Sequence, residues 1–135
     1  MKKTYLLNEI KDIVLDIKSW DRIFLIWDLA SWKTTFTKHI INDLLQINED
    51  ITSPTYTYYN KYEINWVNIY HFDLYRLKNY DEFFAIWWED ILDDETNICI
   101  IEWPELIKNY YKPTYQISLF KTEDELKREI EIINM

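Results

Sequence analysis

The residues Trp27-Asp28-Leu29-Ala30-Ser31-Trp32-Lys33-Thr34 have the frame G-x-x-x-x-G-K-[ST], with tryptophan at both glycine positions. In such a loop consecutive backbone N–H groups curl around phosphate oxygens, the lysine reaches the terminal phosphates, and the hydroxyl holds Mg²⁺. The helix that follows points its positive end at the same anion. An indole at position 32 would intrude where backbone must approach phosphate, so by this motif alone the plainer reading is a helix start with a lysine beside it. Glu102 ends the apolar run Ile98-Cys99-Ile100-Ile101, where an acid can orient or deprotonate an attacking water. Asp73, in HFDLYRL, follows another apolar stretch, and its plainer role is to cap a helix. His71 reads as a packing and hydrogen-bonding residue rather than a general base, and His39 as a helix-face residue without chemistry.

Chemistry of this kind needs strands that deliver the loop and the acids to one edge. Ile23–Ile26 is a continuous apolar run of strand length, suited to a buried parallel strand. A helix from about Lys33 to Leu45 follows, with Phe36, Ile40, Ile41 and Leu44 on one face. Strand, loop and helix are the context in which a phosphate loop has meaning. Upstream, Leu6, Leu7, Ile10, Ile13, Val14 and Ile17 are spaced by threes and fours, which predicts an amphipathic helix over Lys3–Ile17. SPTYTYYNKYEI is aromatic and β-branched, hence extended, and a turn at Asn65-Trp66 leads into VNIYHFDLYRL, whose first part alternates like a strand. Asn79–Leu92 reads as helix, Ile98–Ile101 as strand and Leu106–Tyr110 as a short helix. Tyr115–Phe120 and Arg128–Ile133 alternate in period two, as in a terminal hairpin. Helices alternating with apolar strands predict one α/β domain over residues 1–135, with a mostly parallel central sheet flanked by helices.

Composition narrows the function. Hydrophobic residues are 48% and charged residues 29% of 135, a globular balance. A net charge of -9 argues against a general DNA or RNA binder, which needs a basic face. Cys99 is the single cysteine, so no internal disulfide forms, and a reducing cytoplasm is the expected compartment. No apolar run approaches membrane-spanning length, and Glu9, Lys11 and Asp12 interrupt any signal-type core. One feature of the composition is anomalous. The chain has 7 Trp and no Gly, where average usage would give roughly nine glycines, and turns with φ > 0 need glycine.

Four separated blocks in order, WDLASWKTT, SPTYTYYNKY, IYHFDLYRL and IEWPE, resemble the bacterial TsaE (YjeE) P-loop ATPases of tRNA threonylcarbamoyladenosine synthesis, over nearly the whole chain. The lead-in SWDRIFLI is similar to that family's S-G-D-x-I-x-L-x. Trp20, Trp27, Trp32, Trp66 and Trp87 fall at positions where the family has glycine, whereas Trp103 falls where the family itself has tryptophan. The codon UGA is read as tryptophan in some bacterial lineages and as glycine in others. The pattern therefore predicts glycine at 20, 27, 32, 66 and 87 in the native protein.

The resemblance implies a P-loop fold and an ATPase that, with ATP and Mg²⁺, serves a TsaB–TsaD assembly and meets tRNA only indirectly. Residues 27–35 (Trp27, Asp28, Leu29, Ala30, Ser31, Trp32, Lys33, Thr34 and Thr35) would form the nucleotide cradle with Trp103. Lys33, Glu102 and Asp28 would be catalytic, Asp28 by positioning water or metal or by holding the loop. Thr34, Asp73 and Glu102 would hold Mg²⁺, a hard cation that prefers oxygen ligands. Trp103 reads equally as core packing on physical grounds. Ser53, Pro54 and Thr55 resemble a switch-like segment, and Arg76 a residue that pairs with a carboxylate or the partner. Two alternatives stand beside this reading. With genuine tryptophan at 27 and 32, the chain is a nucleotide-dead scaffold that binds the partner. The other is a small-molecule P-loop kinase, against which the HFDLYRL and IEWPE blocks argue.

Overall fold

The fold is that of a computed structural model, which describes residues 2–27, 32–51, 59–75, 77–85 and 88–135, with the backbone alone at 33, 34 and 85. Its strands are β1 (Lys2–Leu6), β2 (Arg22–Trp27), β3 (Tyr59–Ile64), β4 (Val67–Asp73), β5 (Ile98–Glu102), β6 (Tyr115–Lys121) and β7 (Lys127–Asn134). They form one sheet in the order β1-β7-β6-β2-β5-β4-β3. The central four, β6-β2-β5-β4, are parallel to one another, and antiparallel strands flank them: β3 on β4, β7 on β6 and β1 on β7. β6 and β7 are the terminal hairpin that the sequence predicts.

β2 and β5 are apolar at successive residues because both of their faces are covered. Ile23, Leu25, Trp27, Ile98 and Ile100 enter one buried cluster, and Phe24, Cys99 and Ile101 enter another across the sheet. The first cluster is closed by Phe36, Ile40 and Ile41. These come from α1 (Lys33–Lys38) and the π-helical stretch His39–Leu44 that continues it. The second is closed by Phe83, Trp88 and Leu92, from α2 (Tyr80–Ala85) and α3 (Trp88–Asp93). Helices thus cover both faces of a largely parallel core.

The first predicted helix is not formed. Residues 2–6 are the edge strand β1, Leu7–Asp12 is a short 3-10 turn, and 13–18 have no regular structure. From Ile13 to Ile17 the buried side chains fall at every second residue, with Val14 exposed between Ile13 and Leu15, an alternation that the threefold spacing of the same leucines and isoleucines conceals. Lys2 and Lys3 on the outer strand discourage pairing with a further chain. The predicted 106–110 helix is reduced to a 3-10 turn at Pro104–Leu106 and the turns that follow.

Two turns bear on the glycine deficit. Ile64 pairs with Val67, so Asn65 and Trp66 make a two-residue hairpin loop, and both have positive φ (49° and 68°). That is the requirement of a type I′ turn, for which Asn-Gly is the favoured pair. At the entrance to β2 the Asp21 N–H donates to the Lys18 carbonyl (3.0 Å), and Trp20, third of the four turn residues, has φ 72°. Positive φ at that position defines the turn that calls for glycine.

Candidate active site

The parallel centre brings residue 27 at the end of β2, Glu102 at the end of β5 and Asp73 at the end of β4 to one sheet edge. Leu25 lies level with Glu102, and Glu102 level with Asp73. This carboxyl end of parallel strands is where open α/β sheets bind ligands. α1 begins at Lys33, directly after the loop that leaves β2.

Glu102 is 1% exposed and His71 2% exposed. The Trp27 indole N–H donates to Glu102 Oε1 (3.1 Å), and His71 Nε2 lies 2.8 Å from Oε2. An ionised Glu102 accepts only, so this contact places the His71 proton on Nε2. His71 Nδ1 is buried without a hydrogen-bond partner among the described residues. A buried carboxylate held by two N–H donors is fixed in orientation, and removing one donor leaves the charge exposed to a large desolvation cost. His71 is thus the hydrogen-bonding residue the sequence suggests, and its particular partner is the strand-end acid.

Asp73 Oδ1 accepts the Tyr75 N–H (3.1 Å). The side chain caps a turn rather than a helix, since 74, 75 and 77–79 are not helical. Trp103 follows Glu102 in the left-handed region (φ 58°), and its ring packs against that of Tyr75 at 5.1 Å between centroids. Trp27 and Trp32 are 4% and 5% exposed and belong to the cluster under α1, with Trp27 on Phe36 at 6.0 Å. Thr35 is half-buried on α1. Asp28, Leu29, Ala30, Ser31, Ser53, Pro54, Thr55, Arg76 and Trp87 lie outside the described residues, as do the side chains of Lys33 and Thr34.

Two residues of note escape the sequence reading. His39 is buried, not a free helix face. Its Nε2 donates to the Ile13 carbonyl (2.6 Å) and its Nδ1 lies 2.8 Å from Asp43 Oδ2, tying the π-helical stretch to the chain before β2. Arg128 is 7% exposed on β7, and its place in period two beside inward Ile130 was the available signal.

The donor set at the sheet edge suits a hard cation. Asp73 and Glu102 supply oxygens from adjacent strand ends, in keeping with Mg²⁺ sites built from one or two carboxylates plus phosphate. Among the described residues no three His, Cys, Asp or Glu side chains form a self-sufficient metal cluster. The two indoles are buried in the cluster under α1, on either side of the segment where a phosphate chain would need close backbone approach.

A parallel strand that runs through a loop into a K-T-T helix, with an acid ending the next parallel strand, defines an α/β protein of the P-loop NTPase-like class. The crystal structure of Bacillus subtilis YdiB superposes with a TM-score of 0.72 at 26% identity, over 99% of this chain and 84% of that one. The model of the family described as "Threonylcarbamoyl adenosine biosynthesis protein TsaE" matches residues 3–130, and the chain belongs to that family. The "tRNA threonylcarbamoyladenosine biosynthesis protein TsaE" of Rickettsia felis is 35% identical over 123 residues, covering 91% of this chain and 71% of the relative. The protein of the same description from Nostoc sp. is 38% identical over 114 residues, 82% of this chain and 68% of that protein. Among the described residues no helix is long and apolar enough to cross a membrane.

Proposed function

We propose that the chain, with glycine at positions 27 and 32, binds and hydrolyses ATP as an accessory protein of tRNA N6-threonylcarbamoyladenosine synthesis, acting on a TsaB–TsaD assembly in the cytoplasm. The observation that carries this reading is the convergence of residue 27, Glu102 and Asp73 at the end of three adjacent parallel strands, beside the start of α1. The left-handed backbone at Trp20 and Trp66 supports glycine at family glycine positions. With glycine at 27, Glu102 Oε1 would lose the indole donor.

ATP with Mg²⁺ would supply the phosphoryl chemistry. Lys33 would offset charge on the terminal phosphates. Thr34 and Asp73 would offer hard oxygen donors. His71 would hold one oxygen of Glu102 so that the other faces the attacking water. Asp28 and Thr35 would stand at the loop's margins, and Trp103 beside the acid.

The test is calorimetric titration of ATP, with and without Mg²⁺, into the Trp27→Gly/Trp32→Gly protein and its Lys33→Ala derivative. Micromolar binding that Lys33→Ala abolishes is the expected result. No binding by the double-glycine protein overturns the reading. Peptide mass spectrometry of residues 22–33 from the native source reports directly which residue stands at 27 and 32.

A second reading rests on the burial of both indoles in the core cluster. In it the tryptophans are genuine and the chain is a nucleotide-free scaffold. Binding of the unaltered chain to TsaB–TsaD with no dependence on ATP would identify that case.

A further inference from the structure

On the side of β2 away from the two acids, β7 carries a buried cation with an incomplete set of partners. Arg128 is the second residue of β7, opposite Lys121 at the end of β6. β6 in turn runs parallel to β2, with Leu119 level with Trp27. Arg128 therefore lies at the same carboxyl edge as Trp27. Ile130, two residues on, is buried in the cluster under α1, so period two turns Arg128 to the α1 face as well. Its Nη1 donates to the carbonyls of Glu125 (3.0 Å) and Lys127 (2.8 Å). Its Nε is buried without a hydrogen-bond partner among the described residues. The guanidinium centre sits 5.2 Å from the centroid of the Trp32 ring.

A buried arginine with an unmet N–H is costly unless something completes its environment. Here the indole of residue 32 covers the guanidinium, in cation–π contact with it. If residue 32 is glycine, that planar, bicyclic ring is gone and the guanidinium faces the space the ring occupies here. The acids that suit a metal-bound phosphate end lie across β2, on β5 and β4. The opposite end of a nucleotide, its base, is then directed toward β6 and β7. Guanidinium planes stack on aromatic faces, which an ammonium does far less well.

We propose that Arg128 is a nucleotide-contacting residue whose guanidinium stacks on the purine ring, in the place that the Trp32 indole takes here. The proposal rests on the ATP-binding reading above. It assigns Arg128 to the base end and distinguishes it from Lys33 at the phosphate end.

The test uses the full-length Trp27→Gly/Trp32→Gly protein and two ligands, ATP and inorganic tripolyphosphate, which lacks the base. Arg128→Ala is expected to weaken ATP binding about tenfold, in line with a desolvated cation–π contact, and to leave tripolyphosphate binding unchanged. Arg128→Lys, which keeps the charge and loses the plane, is expected to weaken ATP binding by a similar factor. Unchanged melting temperatures for both variants exclude a folding effect, and the lysine variant serves should alanine fail to fold. Equal loss for the two ligands would mean a phosphate contact and overturn the stacking proposal, as would no loss for either. If the double-glycine protein binds neither ligand, the ATP reading itself fails and takes this proposal with it. Binding that survives Arg128→Ala overturns this proposal alone.

Discussion

At residue 66 the chain turns a two-residue hairpin with a tryptophan at φ 68°, and Trp66→Gly should make the protein more stable. Holding an L-residue in the left-handed region costs about 1–2 kcal/mol. Glycine removes that cost but enlarges the unfolded ensemble, which takes back roughly 0.4–1 kcal/mol. The side chain contributes little to set against this, since Trp66 is 91% exposed. The net gain is about 1 kcal/mol, or roughly 3–5 °C in melting temperature for a chain of this size. Urea denaturation followed by circular dichroism measures it, with an unchanged slope as the sign that only stability has moved. Trp103→Gly is the control. Its φ of 58° is also left-handed, but its ring packs on Tyr75, so glycine there should give no gain. A destabilised or unchanged Trp66→Gly protein, or an equal gain at 103, would refute the inference that the turn at 66 is built for glycine.

Other consequences follow from the buried polar groups. Glu102→Ala strands the Trp27 and His71 N–H groups and should cost about 2–4 kcal/mol, while Glu102→Gln, which keeps one acceptor oxygen, should cost less; urea titration ranks them. His39→Ala leaves the Ile13 carbonyl without its donor and should lower stability by about 1–3 kcal/mol, with faster amide exchange at 10–17. Burial pushes the Cys99 thiol from its ordinary 9.0 up to about 12, so at pH 8 iodoacetamide should label it only after denaturant is added. Because the folded value is the higher one, the Cys99 contribution to stability is complete below pH 9 and declines as pH rises toward 12; denaturation midpoints of wild type and Cys99→Ala should converge or cross over that interval.

The parts of the fold that could be read from the chain are those where one physical requirement dominates. Ile23–Ile26 and Ile98–Ile101 are apolar without interruption, and only a strand covered on both faces needs that. The apolar residues of β6 and β7 alternate because Tyr115, Ile117, Leu119 and Ile130 face the core cluster. The start of the chain misleads for the opposite reason. Its apolar residues satisfy a helical spacing from Leu6 to Ile17, yet the hydrogen bonds offered by the β7 edge are captured by residues 2–6, and register with a distant strand leaves no mark on a local pattern. The same distance hides the pairing of His71 with Glu102. Each residue is unremarkable in its own segment, and only the parallel neighbours β4 and β5 bring them to 2.8 Å.

The tryptophans separate sequence from geometry in a more useful way. At 20 and 66 the backbone takes a conformation that costs tryptophan energy and glycine nothing, and at both places the ring is exposed, so no packing offsets the cost. At 27 and 32 the rings are buried and make contacts with Glu102 and Arg128. On the proposed ATP-binding reading, those contacts occupy the two groups that a nucleotide would reach from either side of β2, the acid toward β5 and the cation toward β7. One indole thus satisfies a buried carboxyl group and the other covers a buried guanidinium, and neither residue takes a left-handed backbone. Glycine at the same two positions would open both groups at once. On the proposed reading, ATP binding therefore turns on residues 27 and 32 together, and a single Trp27→Gly or Trp32→Gly change should restore only one side of it.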